Sequence, residues 1–225
     1  MKKILVGIPT IRDFAPFWKS LGDFYANAVE FYNMDMMVVS GKRLGMAQNN
    51  IADLFMQGKW DYLLFLDDDQ WGHTIQMLDC LVNADSMVAV IKTYSRHYPH
   101  LCTLLNYTNE KGMVASIENG EGYMPCDVAG FPMTLIKREV FNLLDKPYFR
   151  EIDSCGRDWN TDVDFCERLA KLGIKPTGCF QYCLNHDIVT QDNVKELRYK
   201  GCRDQRKMAM FKAFNIQQEI LRGVK

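Results

Sequence analysis

Leu63-Leu64-Phe65-Leu66-Asp67-Asp68-Asp69 places three consecutive carboxylates behind a short apolar run. Like charges on adjacent residues repel one another unless a cation neutralises them. In extended chain, successive side chains alternate faces, so Asp67 and Asp69 point the same way and can approach one ion or its water shell. Oxygen ligands suit a hard cation, Mg²⁺ or Mn²⁺, which keeps positions open for substrate phosphates. A solvated acidic turn is the plain alternative. The apolar run argues for the metal, because ligands of open α/β sheets bind at the carboxyl ends of buried strands. Other acid-dependent chemistries fit less well. There is no G-x-x-x-x-G-K-[ST] loop for a P-loop NTPase, and Gln70-Trp71 stands where an aspartyl phosphatase would continue its D-x-D-x-[TV] pattern.

A second acid, Asp162, opens a stretch of helical period through Phe165, Cys166, Leu169 and Leu172. Thr161 with Asp164 three residues on resembles a capping box, which assigns Asp164 to the cap. At the first helical position the dipole keeps the Asp162 carboxylate ionised near pH 7 and available as a base. Helix-terminal electrostatics alone, worth roughly 0.3–1 kcal/mol, is the bland alternative. His186 follows Cys179 and Cys183 at a spacing conceivable for zinc, but no fourth ligand is evident. His97 and His100 bracket Tyr98-Pro99 and read as loop residues. Trp159, Trp71 and Tyr94 are candidates for stacking on a sugar or nucleobase, although such residues more often belong to a core. Trp159 stands out because it lies in the loop just before Asp162.

Positioning these residues requires a sheet. Apolar runs alternate with stretches of helical period, which predicts an α/β fold with a largely parallel sheet. Strands are expected at Ile4 to Ile8, Met36 to Val39, Tyr62 to Leu66 and Met87 to Ile91. Helices are expected at Leu21 to Phe31, around Ala47, Ile51, Leu54 and Phe55 with Gly58 as a left-handed C-cap, and around Ile75, Leu78, Leu81 and Val82. Leu101 to Tyr107 and Met113 to Ile117 read as a hairpin. A strand near Pro132 to Ile136 precedes a short helix that Pro147 stops. No repeat or linker interrupts the chain, so residues 1–225 read as one domain. Residues 1–100 form a first half, 101–190 a second, and 191–225 a basic helical segment. That last segment reads as a solvated face, or as a surface for an anionic acceptor or membrane.

Composition bounds the partners. With 225 residues, 48% hydrophobic residues and a net charge of -1, the chain can bury a core and is not disordered. A pI near 6.4 gives no general pull toward nucleic acid or an anionic membrane. No apolar run approaches the roughly 20 residues that span a bilayer. Lys2-Lys3 with the following apolar residues imitates a secretory signal, which Pro9 and Arg12-Asp13 cut short. Eight cysteines scattered along the chain favour reduced thiols and a cytoplasmic location.

Taken together, these pieces resemble the glycosyltransferases of the GT-A fold, a mixed Rossmann-like sheet flanked by helices, and in particular the small enzymes that use nucleotide-sugar donors. Ile4 to Thr10 is similar to their first strand and nucleotide loop, Gly45-Met46-Ala47-Gln48-Asn49 to their A-R-N element, and Leu66-Asp67-Asp68-Asp69 to their D-x-D signature. Val128 to Phe141 resembles the acceptor-side strand, and Thr161 to Leu169 the E-D-V-D-F-C-x-R-L segment. Gln48 stands where the family often has Arg, and Thr161 where it usually has Glu. The resemblance spans residues 4–187. It implies transfer of a sugar from a UDP- or GDP-sugar to an acceptor hydroxyl with inversion. Asp67, Asp69 and His186 would hold Mn²⁺ or Mg²⁺, and Asp162 would be the base. Pro9, Thr10, Gln48, Asn49 and Asp68 would contact the donor, with Gly130 and Trp159 on the acceptor side. The nature of the acceptor, whether glycan, lipid or protein, is left open. A sugar-1-phosphate nucleotidylyltransferase and a non-catalytic nucleotide- or carbohydrate-binding protein are the rival readings. The first should carry a glycine-rich basic loop where Thr10-Ile11-Arg12-Asp13-Phe14 stands.

Overall fold

The computed structural model describes residues 1–11, 13–94, 102–108, 114–117, 120–151 and 161–186. Trp159, His97, His100 and the basic segment 191–225 lie outside the described residues. The chain runs β1 (Lys3–Thr10), α1 (Ala15–Ala28), β2 (Asn33–Ser40), α2 (Leu44–Gln57), β3 (Tyr62–Leu66), β4 (Gln70–Trp71), α3 (Ile75–Asn83) and β5 (Val88–Lys92). It continues through β6 (Leu104–Tyr107), β7 (Val114–Ser116), β8 (Tyr123–Pro125), β9 (Val128–Ala129), β10 (Met133–Lys137) and α4 (Arg138–Leu143). Last come α5 (Thr161–Ala170), β11 (Thr177–Cys183) and β12 (Asn185–His186).

A seven-stranded mixed sheet, in the order β2-β1-β3-β10-β5-β11-β8, organises one α/β domain. Its central strands are apolar on both faces because helices cover both. Ile4, Val6, Ile8, Leu64 and Leu66 face Phe17, Leu21 and Phe24 of α1 and Leu78 of α3. Leu5, Leu63 and Phe65 face Ile51 and Phe55 of α2 and the rings of Phe131, Phe141, Phe149 and Phe165. Phe149 and Phe165 stack with centroids 4.9 Å apart and planes 8° apart. That stack ties α5 to the segment after α4. Among the described residues, no helix is long and apolar enough to cross a membrane.

The sheet departs from the expected parallel pattern at two strands, β10 in its middle and β8 at its edge, which pairs antiparallel with β11. β1 is parallel to β2 and β3, but β10 runs antiparallel between β3 and β5. An alternation of apolar runs carries no strand direction, and nothing between β9 and β10 is long enough for a crossover helix. The reversal has a functional consequence: Met133 at the start of β10 lies opposite Leu66 at the end of β3. Residues just before an antiparallel strand thereby join residues just after parallel ones at a single edge. The expected hairpin forms between β6 and β7, with Leu105 opposite Ser116.

Two local expectations change for identifiable reasons. α1 begins at Ala15, six residues before the expected start, with Pro16 in its first turn, where a missing N–H costs nothing. Gly58 ends α2 with φ -86° and ψ -167°, which is extended and not left-handed. The Arg138 guanidinium takes over the capping, donating to the carbonyls of Phe55 at 2.7 Å, Gly58 at 3.0 Å and Trp60 at 2.7 Å. Glycine is needed there because a Cβ would stand 1.9 Å from the Trp60 ring.

Candidate functional site

The parallel strands β1, β2 and β3 end at the same edge, where open α/β sheets bind ligands. Three segments meet there: Pro9-Thr10-Ile11 at the end of β1, Gly41 to Leu44 between β2 and the first turn of α2, and Asp67 to Asp69 after β3. Together with Ala47 they line a cavity of about 530 Å³. Gly41, at φ +70°, turns the chain from β2 into α2. The first turn of α2 carries no acid of its own, but the Glu151 carboxylate accepts the Gly45 N–H at 3.0 Å, so an acid from another segment caps this helix end.

The three aspartates are held in different ways. One oxygen of Asp68 accepts from the Thr10 hydroxyl at 2.9 Å and the Ile11 N–H at 2.9 Å, pinning the first connection to the third. Asp68 is 8% exposed, so a carboxylate in that setting needs those donors. Asp67 is tied through its backbone, its N–H donating to the Pro132 carbonyl at 3.2 Å. Asp69 receives the Gln70 amide at 3.1 Å on one oxygen and faces His186 Nε2 at 3.2 Å with the other.

The His186 contact depends on a short ladder that the sequence did not announce. β12 pairs antiparallel with β4, placing His186 opposite Gln70. β11, parallel to β5, brings the chain to the same edge before β12 begins. The other ring nitrogen, Nδ1, lies 2.8 Å from the Tyr94 carbonyl. A carbonyl can only accept, so Nδ1 carries a proton, and Nε2 meets Asp69 either as a second N–H or as a lone pair. Two lone-pair atoms at 3.2 Å require a proton or a metal ion between them. The spacing is close to the roughly 3.0 Å edge of an octahedron with about 2.1 Å bonds. Imidazole oriented by a backbone carbonyl and carboxylate oriented by an amide are the supports that metal ligands use.

Asp69 and His186 therefore fit Mg²⁺ or Mn²⁺. Among the described residues, no group of three His, Cys, Asp or Glu side chains converges on one point, so the expected third ligand, Asp67, is not drawn into the pair. Asp67 lines the cavity wall beside them. The structure also separates His186 from the zinc alternative. Cys179 is fully buried in the core on the α1 face, while the His186 ring turns to Asp69.

The second acid lies across the same edge. α5 already includes Thr161, so Asp162 stands one position deeper than expected and no Thr161–Asp164 capping box forms. Asp164 instead makes a paired ion contact, receiving Arg150 Nε at 2.9 Å and Nη2 at 2.7 Å, with Arg168 at 3.8 Å. Among the described residues, Asp162 has no such cation. Its carboxylate is bonded by the Thr161 hydroxyl at 3.3 Å, the Phe131 N–H and the Gln48 amide. Part of its surface stays accessible, yet it sits deep enough that burial pushes its carboxyl up to about 6, against the lowering effect of those bonds. Desolvation outweighs the helix dipole here, reversing the expectation from sequence.

Gly130 belongs to this group: a Cβ there would stand 3.9 Å from the Asp162 carboxylate. The two acids are linked through adjacent backbone. Phe131 bonds Asp162, and its neighbour Pro132 accepts from Asp67.

Two expected donor contacts have other partners. Asn49 spends its amide inside the protein, donating to the Gly45 and Phe149 carbonyls at 2.7 Å each and accepting from the Phe149 N–H at 3.1 Å. Gln48, 1% exposed, turns to Asp162. Trp71 lies in the wall of a separate hollow of about 670 Å³ with His73 and Ser20 of α1, away from the acid-lined cavity. Sequence reasoning passed over Lys42 and Arg43. Both line the cavity at the start of α2, and the Arg43 side chain is 82% exposed, with Glu151 at 3.9 Å. Two adjacent cations after a strand were the available signal.

No family model matches the chain, and no curated protein matches it. Among solved structures, the crystal structure of A197 from STIV is similar, with a TM-score of 0.57 and 16% sequence identity over 83% of this chain and 85% of that chain. At this identity the likeness is one of fold: a single mixed α/β domain with helices on both faces of its sheet.

Proposed function

We propose that the protein is a GT-A-type glycosyltransferase that moves a sugar from a nucleoside diphosphate sugar to an acceptor hydroxyl with inversion. The observation that carries this reading is the pairing of Asp69 with His186 at 3.2 Å on one side of an edge whose other side holds Asp162, an acid without a cation partner among the described residues. In this reading Asp69 and His186 hold Mg²⁺ or Mn²⁺, with Asp67 beside them. When bound, the ion neutralises charge developing on the departing diphosphate.

The protein's own groups do the rest. Lys42 and Arg43 add positive potential along the cavity wall. Thr10 and Asp68 fix the floor on which the nucleoside lies. Asp162 takes the proton from the acceptor hydroxyl. A carboxyl at about 6 is mostly ionised above pH 7 and is a stronger base than an ordinary aspartate, as efficient proton transfer requires. Its remaining accessible surface beside Gly130 is where that hydroxyl would approach.

The test is calorimetric titration of UDP and GDP into the protein with and without Mn²⁺, alongside Asp69→Asn. The reading expects metal-dependent binding of one nucleotide, lost in the variant, and release of nucleoside diphosphate from the matching sugar nucleotide. Release of pyrophosphate from a nucleoside triphosphate and sugar phosphate would move the assignment to a nucleotidylyltransferase. Absence of nucleotide binding under both conditions would overturn it.

A further inference from the structure

His186 lies in β12 and Asp69 directly precedes β4, two short strands that pair with each other outside the seven-stranded sheet. The His186 side is tied to that sheet. Just before β12, the Leu184 N–H donates to the Lys92 carbonyl at 3.0 Å, and the Thr93 hydroxyl donates to the Leu184 carbonyl at 3.1 Å. The Asp69 side runs straight into β4, whose ladder with β12 has two residue pairs and gives little hold by itself. Beyond β4 the chain meets Ser20 of α1. Gly72, at φ +89°, turns the backbone so that the Gly72 and His73 N–H groups both donate to the Ser20 hydroxyl oxygen at 2.8 Å. A hydroxyl has two lone pairs and one hydrogen. With both lone pairs engaged, the Ser20 hydrogen goes to His73 Nδ1 at 3.0 Å. That nitrogen accepts in the neutral ring, and burial pushes His73 down to about 3, so the acceptor is present at ordinary pH. The ring in turn packs edge-on against Phe17, one turn earlier in α1, with centroids 5.8 Å apart.

We infer that Ser20 is a positioning residue for the Asp69–His186 pair, its hydroxyl fastening the far end of β4 to α1 and so keeping Asp69 at bridging distance from His186. The link from β4 back to the pair is short. Gln70, in β4, lies opposite His186 and donates its amide to Asp69 at 3.1 Å. β4 is thereby held on two sides, by β12 toward the sheet and by Ser20 toward α1. Alanine at position 20 would leave two N–H groups and an imidazole nitrogen without this partner. Threonine would keep it, and the hollow that Ser20 borders has room for the extra methyl group. The inference rests on the reading of Asp69 and His186 as a metal pair.

The experiment is titration of Mn²⁺ alone into the full chain at pH 7.5, followed by the electron spin resonance of the free ion. Ser20→Ala should bind about tenfold more weakly than the unmodified protein, the low end for a group that orients metal ligands, and Ser20→Thr within about twofold of it. Tyr25→Phe is the control for stability. It removes a different bond from α1, the one donated to the Met34 carbonyl at 2.9 Å, and should leave Mn²⁺ affinity unchanged. Without metal, the His186 ring resonances, assigned by their absence in His186→Gln, should move in Ser20→Ala and stay in place in Tyr25→Phe. Full Mn²⁺ affinity in Ser20→Ala overturns the inference, as do unmoved His186 resonances. If Ser20→Ala does not fold, the Gly72 and His73 amides of the unmodified protein decide: they should exchange hydrogen slowly, and exchange at the rate of an exposed loop overturns the inference. Failure of the metal reading shows differently, as no Mn²⁺ binding by the unmodified protein or as binding that survives Asp69→Asn, and the metal-free resonances still test Ser20.

Discussion

Asp69 and Asp162 are each held by the amide of a buried glutamine, Gln70 for one and Gln48 for the other, and both glutamines leave a carbonyl oxygen unpaired. Their surroundings then diverge. Asp69 ends a strand, faces an imidazole nitrogen at 3.2 Å and opens on a cavity with Lys42 and Arg43 in its wall. Asp162 starts a helix, faces an N–H and a hydroxyl, and is pushed up to about 6 by burial. The first setting favours a permanent negative charge with a cation beside it; the second favours a carboxyl that can gain and lose a proton. Asp164, two residues after Asp162, supplies the control. With Arg150 bonded to both oxygens, it is an ion pair with a structural task.

The sharpest way to break this contrast is Asp162→Asn. Turnover should fall about 10²- to 10⁴-fold, the usual worth of a general base. Stability should move the other way. The folded protein holds a proton on Asp162 more tightly than the unfolded chain does, at about 6 against an ordinary 3.8, so ionisation weakens the fold as pH rises between roughly 4 and 6. Urea unfolding at pH 7.5 should therefore show Asp162→Asn more stable by up to about 3 kcal/mol, with the gain shrinking as the pH approaches 4. In the unmodified protein kcat/KM should rise with pH along a limb near 6. A variant less stable than the parent at pH 7.5 would contradict the strained setting assigned to this acid.

Asp69→Asn should act on binding, lowering Mn²⁺-dependent nucleotide affinity by about 100-fold in calorimetry, since it removes a charge from the ion's side of the edge. Its effect on the Asp162 titration should be small, and a large one would mean the two ends are not separate. Arg150→Met tests the control. It leaves Asp164 buried with only Arg168 nearby and should cost about 2–3 kcal/mol of unfolding free energy while metal-dependent nucleotide binding is retained. The smallest effect is expected from Gln70→Met, which loosens Asp69 without removing a ligand. Mn²⁺ affinity should fall about 10-fold, with the Asp162 midpoint unchanged.

Much of the frame was legible in the chain. Strand β3 has the expected limits, Tyr62–Leu66, because five apolar residues end at a charged triplet that cannot follow them into the core. Helices α2 and α3 follow from apolar spacing alone. The two-residue strands β4 and β12 were invisible: a ladder of two pairs leaves no periodicity to read, and its partners are more than a hundred residues apart. The fate of individual polar residues was hidden for the same reason. Asn49 read as a donor contact, but its amide ties α2 to Phe149, and Asp164 read as a cap, but it found Arg150.

The sequence by itself determined the α/β class, the acid triplet at a strand end and the acid at a helix start, since these rest on periodicity and charge within a few residues of one another. Tertiary structure alone decided the antiparallel course of β10, the meeting of His186 with Asp69, and the surroundings that raise Asp162. Each of these depends on distances and burial set by segments far apart in the chain. Desolvation in particular is a property of everything packed around a group, and no stretch of sequence contains it.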